Sequence, residues 1–218
     1  MAGVAWGCQS DTQPAPAIGY EYFPLEVGQY VQYQVEETRY ALAQPATSRT
    51  YQRRETITDS YTDGTGETIY RIERAVLQAN GEWKADSLMT AWRTTERALR
   101  TENGVTEVKL FFPLTERQRW NGNLYTNQGE KVFEVAKVGR PLTVGTQPFE
   151  HTVTVVQQND STLVALRRLR EVYAKNVGLV QRERVFLQYC STPDCAGQGK
   201  IDYGIKQIST VSAYGKLQ

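Results

Sequence analysis

One histidine, two methionines and three cysteines in 218 residues leave few atoms for the commonest catalytic and metal-binding chemistries. His151 would have to be the base of any Ser-His-Asp arrangement, yet no G-x-S-x-G turn offers it a serine. No Gly-rich phosphate loop leads into a helix, and no Cys/His/Asp/Glu cluster has metal-ligand spacing. The segment Asp63-Gly64-Thr65-Gly66-Glu67 lacks the D-x-[DN]-x-[DN]-G pattern of a calcium loop and reads as a hairpin turn. Charge of one sign is missing too: 25 basic residues face 24 acidic ones, for a net charge of +1. The densest basic run, Arg167, Arg168 and Arg170, is followed at once by Glu171 and reads as a solvated strand face. A chain that neutralises phosphates needs a basic excess somewhere, so nucleic acid is not an expected partner. Beyond residue 8 nothing approaches the apolar run of ~18 residues that a membrane-spanning helix requires. The expectation is a protein that is not an enzyme and carries no cofactor or metal.

What is abundant points to strands. Thirteen tyrosines and four tryptophans, with many valines and threonines, favour β structure. In Tyr30-Val31-Gln32-Tyr33-Gln34-Val35-Glu36, the residues Val31, Tyr33 and Val35 share one face while Gln32, Gln34 and Glu36 share the other. Similar runs occupy 49–61, 67–78, 83–93, 105–111, 131–137, 151–157, 163–173, 179–189 and 201–211. Turn residues separate them: Asp63-Gly64-Thr65-Gly66, Asn80-Gly81, Asn103-Gly104, Asn127-Gln128-Gly129, Gln158-Asn159-Asp160 and Asn176-Val177-Gly178. The segment 163–173 also carries apolar residues at 163, 166, 169 and 172, a helical spacing. Flanking turns favour a strand there. The predicted fold is all-β, with little helix and about ten strands in a large antiparallel meander, forming a curved sheet or half-open barrel. No linker interrupts residues 19–218, so they make a single β domain. A chain of this length buries roughly 70% of its extended surface on folding, enough for a core without metals.

The N-terminus reads differently. Residues 1–8, MAGVAWGC, are small and apolar and end in Gly7-Cys8. Residues 9–18 are polar and proline-bearing, a flexible tether. This layout resembles the remnant of a bacterial lipoprotein signal, in which the chain is cut before a cysteine that takes a diacylglycerol. Trp6 is bulkier than that pattern prefers and a positive n-region is absent, so the true signal is expected to begin before Met1. The alternative is a cytosolic chain with an apolar N-terminus and a chance cysteine. The remaining thiols favour export. Cys190 and Cys195 flank a turn with Pro193 between them, a spacing that suits a disulfide and hence an oxidising compartment.

Three segments carry a family resemblance. Tyr22-Phe23-Pro24-Leu25-Glu26-Val27-Gly28-Gln29-Tyr30-Val31-Gln32-Tyr33 resembles the first strand of a group of uncharacterised bacterial exported lipoproteins. Val172-Tyr173-Ala174-Lys175-Asn176-Val177-Gly178-Leu179-Val180-Gln181-Arg182-Glu183 resembles that group's closing hairpin. Between them, Leu110-Phe111-Phe112-Pro113-Leu114 and Trp120-Asn121-Gly122 echo a middle motif. Tyr30 and Val31 stand where many relatives carry tryptophan. The resemblance implies a curved antiparallel sheet, in some cases similar to half-barrel carriers that shuttle lipoproteins, and it implies no catalytic or binding residues. Physically, Pro24 and Pro113 should hold Phe23 and Phe112 extended at strand starts, while Gly28 and Gly178 supply turns.

The functional expectation follows. Glu36 and Glu37 point to opposite strand faces and cannot act as a pair. His151 alternates in phase with Val153 and Val155 and reads as a buried packing residue. Tyr33, Tyr70, Trp83, Trp92, Phe111, Trp120 and Tyr125 read singly as core. The chain is expected to be an exported, non-enzymatic lipoprotein held by Cys8 to the outer membrane of a Gram-negative bacterium, with a binding or accessory role. Its partners would be the membrane, through the lipid, and envelope proteins. The alternative is a carrier of an apolar ligand in the concave face of the sheet, and a hydrolase ranks third.

Overall fold

The computed structural model describes residues 18–217. The signal remnant with Cys8, and all but the last residue of the tether, lie outside the described residues. Twelve antiparallel strands form one sheet: β1 (Gln29–Tyr40), β2 (Thr47–Thr62), β3 (Thr68–Leu77), β4 (Trp83–Arg93), β5 (Arg97–Glu102), β6 (Val105–Phe111), β7 (Arg119–Asn121), β8 (Val132–Val144), β9 (Gln147–Ser161), β10 (Ala165–Ala174), β11 (Gly178–Tyr189) and β12 (Ile201–Lys216). The strand order is β6-β5-β4-β3-β2-β1-β12-β11-β10-β9-β8-β7. Two successive meanders, β1–β6 and β7–β12, are thus zipped together through their first and last strands. Both chain ends of the domain sit at mid-sheet, and β6 and β7 form the two edges.

The expected count of about ten strands is two short. The missed strands are β5 and β7. In β5 the successive residues Ala98, Leu99 and Arg100 are all buried across a register shift, so no alternation shows; β7 is only three residues long. The segment with helical spacing is a strand, because β10 is hydrogen-bonded along both sides, to β9 and β11. The turn expected at 158–160 lies further on. Asn159 and Asp160 remain in β9, opposite Arg168 and Arg167, and the chain reverses after Ser161.

The sheet curls until its edges nearly meet. Across the gap, Val108 N–H of β6 donates to Gly122 O at 2.9 Å, and the Trp120 indole N–H donates to Val108 O at 2.8 Å. Gly122 lies against the Phe133 ring, where an added Cβ would stand 2.5 Å from the ring edge. The middle motif is therefore the seam of the barrel. The other two motifs meet at one end of it. Phe23 packs on Tyr173, with ring centroids 6.3 Å apart, and the Tyr33 hydroxyl donates to Leu179 O at 2.8 Å. Tyr20, in a short 3-10 turn (Tyr20–Tyr22), sets its ring edge-on to Phe112 at 4.8 Å. Gly28 and Gly178 do turn the chain, at φ 89° and 93°. The prolines do not start strands: Pro24 precedes β1 by a further turn, and Pro113 follows β6.

Two apolar clusters fill the fold. The larger joins Phe23, Ile57, Leu99, Phe133, Val155 and Tyr173 inside the curl. The smaller gathers Val31, Tyr33 and Val35 with Val172, Val180 and Phe149. Of the aromatics read as core, Tyr33 and Trp120 are buried, and Tyr70, Trp92 and Phe111 pack partly buried against the larger cluster. Two departures occur. Trp83 lies under the Arg54 guanidinium, 4.6 Å from its ring centroid, and Tyr125 is exposed. His151 is exposed as well, not packed with the valines. Leu142 pairs with Phe149 and Arg140 with Thr152, so Glu150 and His151 face Pro141 alone. That bulge breaks the alternation that placed the imidazole inside.

Candidate functional site

The periodicity that turns Val31, Tyr33 and Val35 inward also turns charge inward. Arg53 and Glu55 share the face of Ile57 on β2, and both are buried. Arg53 sits opposite Tyr33, and Glu55 opposite Val31. Arg100 and Glu102 do the same on β5, and Glu107 and Lys109 on β6, with Arg100 paired to Glu107. Residues two apart project from one strand face, so each pair delivers opposite charges to the lumen together. Glu171 of β10 and Arg182 of β11, direct cross-strand partners, complete the set.

Inside the curl these side chains link into one chain of alternating sign. Arg100 Nη2 donates to Glu55 Oε2 at 2.7 Å, and Arg100 Nε pairs with Glu102 Oε1 at 2.6 Å. Arg182 grips Glu102 with both terminal nitrogens, at 3.1 and 3.3 Å. Its Nε donates to Glu171 Oε1 at 2.8 Å. Lys109 Nζ bridges Glu171 at 3.2 Å and Glu107 at 2.7 Å, and Lys131 Nζ adds a bond to Glu107 at 2.8 Å. Glu171 also accepts from Gln157 Nε2 at 2.7 Å and from the Tyr173 hydroxyl at 2.6 Å. These links join strands far apart in the sheet order, β2 to β5, β5 to β11 and β6 to β10, so the chain of charge spans the barrel.

The electrostatics set what this arrangement can do. Burial by itself would raise the Glu171 pKa, but Lys109 and Arg182 outweigh it and hold the carboxyl at about 2. The same contest leaves Glu102 well below the usual carboxylate range, through Arg100 and Arg182. Burial lifts the Tyr173 hydroxyl, and anionic Glu171 beside it lifts it further. A general acid or base works best with a pKa near the operating pH. The two carboxyls are displaced toward fixed negative charge and the Tyr173 hydroxyl toward its neutral, protonated form, so all three move away from that range. Among the described residues no group of three or more His, Cys, Asp or Glu side chains is placed to hold a metal ion.

The ion chain lies between two cavities. At the end where the N-terminal segment enters, a cavity of about 70 Å³ is walled by Phe23, Leu25, Val31, Ile57 and Leu179. On the other side lies a cavity of about 330 Å³ lined mostly by charged residues, bounded by Asn103 and Val105 of the β5–β6 turn and by Phe186 of β11. Arg100 and Arg182 line both. The smaller space suits a few waters, each needing roughly 10–15 Å³ of this kind of volume. Gln29 Oε1 and Glu55 Oε1, buried without a hydrogen-bond partner among the described residues, are available to such waters.

The site residues read from sequence fall elsewhere. Cys190 and Cys195 are disulfide-bonded, with Cα atoms 5.8 Å apart, in the β11–β12 connection. They line neither cavity. Cys8 lies outside the described residues. The ion chain itself went unread, although a signal existed: opposite charges at i and i+2 on strands whose same-parity neighbours are apolar.

No family model matches the chain, and no curated protein matches it. Among solved structures, a protein from Bacteroides fragilis described as exported, with a YmcC-like fold, is similar at a TM-score of 0.47 and 10% identity. The alignment covers 89% of this chain and 98% of that one. A protein from Parabacteroides distasonis described as a lipoprotein is similar at a TM-score of 0.43 and 11% identity, with the same shares covered.

Proposed function

We propose that the chain is a non-enzymatic lipoprotein of the cell envelope, anchored through Cys8, whose barrel serves a binding or accessory role and does not carry acyl chains. The observation that carries this reading is a lumen whose apolar part is packed and whose larger remaining space is lined mostly by charged side chains. The concave face, where a carrier would keep an apolar groove, is filled by the larger cluster and crossed by the ion chain. The apolar space left is about 70 Å³, well under the ~300 Å³ at which small-molecule sites begin. An acyl tail entering beyond it would meet Glu55, Arg100 and Arg182 and break their pairing, which costs several kcal/mol. The anchor reading rests on Gly7-Cys8 and on the Cys190–Cys195 disulfide, which belongs to an oxidising compartment. A tether of ten residues reaches about 35 Å when extended, so the barrel would ride close to the membrane.

Native mass spectrometry of a secreted Cys8→Ser form, purified from its own envelope compartment, tests the reading. The expected mass is that of the protein without fatty acid or lipid. Stoichiometric acyl lipid on this unanchored form would establish the carrier instead.

A further inference from the structure

We propose that the charge-lined cavity at the β5–β6 end of the barrel is a binding site for a hexose-sized organic anion bearing a carboxylate or a phosphate. Its size and its charge balance carry the inference. At about 330 Å³ it falls in the range of small-molecule sites, unlike the apolar space on the other side of the ion chain. Six basic side chains line it: Arg100, Lys109, Lys131, Arg170, Arg182 and Arg184. Four carboxylates in the wall oppose them, those of Glu102, Glu107, Glu171 and Glu183, and Glu55 pairs with Arg100 from behind it at 2.7 Å, which leaves an excess of one positive charge.

The basic groups also differ in how free they are. Arg100, Lys109 and Arg182 are committed to the ion chain and form a rigid, buried base. Arg184 makes no ion pair among the described residues and lies over the Phe186 ring, 5.3 Å from its centroid. On β11 it stands two residues from Arg182, so both project from the same face of the strand. An anion in the cavity would gain a charge-assisted contact from Arg184 without breaking an existing pair. Arginine suits planar carboxylate and tetrahedral phosphate equally well. The Asn103 amide and the Phe186 ring supply a hydrogen-bonding and an apolar surface for the uncharged remainder of the ligand.

This inference rests on the binding role proposed above. Isothermal titration of the full chain at low salt would use glucuronate, glucose 6-phosphate and, as the neutral control, glucose. Either anion or both should bind, glucose should not, and the two anions tell carboxylate from phosphate recognition. Arg184→Gln should weaken binding about tenfold, the scale for losing one hydrogen bond to a charged group. Arg71→Gln, which removes a cation paired with Asp59 on β2, should leave it unchanged. No heat from either anion, equal binding of glucose, or full affinity in a folded Arg184→Gln protein would overturn the site. Those failures would not bear on whether the unanchored protein purifies free of acyl lipid.

Discussion

Replacing Glu171 with Gln removes the central anion of the ion chain while keeping its size and its ability to accept a hydrogen bond. The folded carboxyl is held at about 2, against an ordinary value of 4.5. At ~1.36 kcal/mol per pKa unit, that depression corresponds to about 3 kcal/mol of stability. The sign is set by the direction of the shift. A depressed folded pKa stabilises in full above the unfolded value, and the contribution drains away as pH falls toward the folded one. Glutamine stands in for the protonated acid, so it lacks this contribution at every pH. Urea unfolding of both proteins should therefore show the wild type more stable by about 3 kcal/mol near neutral pH, narrowing to roughly half of that near pH 3.3. Lys109 and Arg182 each keep a second carboxylate, Glu107 and Glu102, so the variant should still fold. A gap below about 1 kcal/mol at neutral pH, or one that does not change with acidification, would mean that solvent screens the chain and that it is not a buried network.

Other perturbations read other parts of the molecule. Metabolic labelling with an alkyne fatty acid should mark the wild type and not Cys8→Ser; equal labelling would remove the lipid anchor. Replacing both Cys190 and Cys195 with Ser should leave a folded protein that is about 2 kcal/mol less stable by the loop-entropy relation and melts about 5 °C lower in a calorimetric scan. Gly122→Ala forces a Cβ into the Phe133 ring at the seam and should cost about 1–3 kcal/mol in urea unfolding, the range for overpacking; an unchanged midpoint would show that the seam yields. His151→Gln, at an exposed bulge, should shift stability by less than about 0.5 kcal/mol and leave the biological phenotype intact. Loss of phenotype in a folded, correctly localised variant would reveal chemistry at that imidazole.

The sequence by itself determined the fold class and most of the strands, because alternation and turn chemistry are local and survive without knowledge of neighbours. Val31, Tyr33 and Val35 announce β1 wherever it lies, and the Cys190–Cys195 bridge closes over a loop too short to need a tertiary context. Local rules failed where pairing overrode them. The bulge at Glu150 and His151 exists because β8 and β9 slip register, and β10 is a strand because it has a partner on each side. Only the tertiary structure decided that the sheet closes on itself, with Trp120 and Gly122 as its seam. That closure creates the ion chain. Glu55 and Arg100 are 45 positions apart, and Lys109 and Glu171 are 62 apart. In the linear chain each is an ordinary charged residue on a strand. The curl removes them from water and brings each within ion-pairing distance of the other, which is why their pairing came into view only in three dimensions.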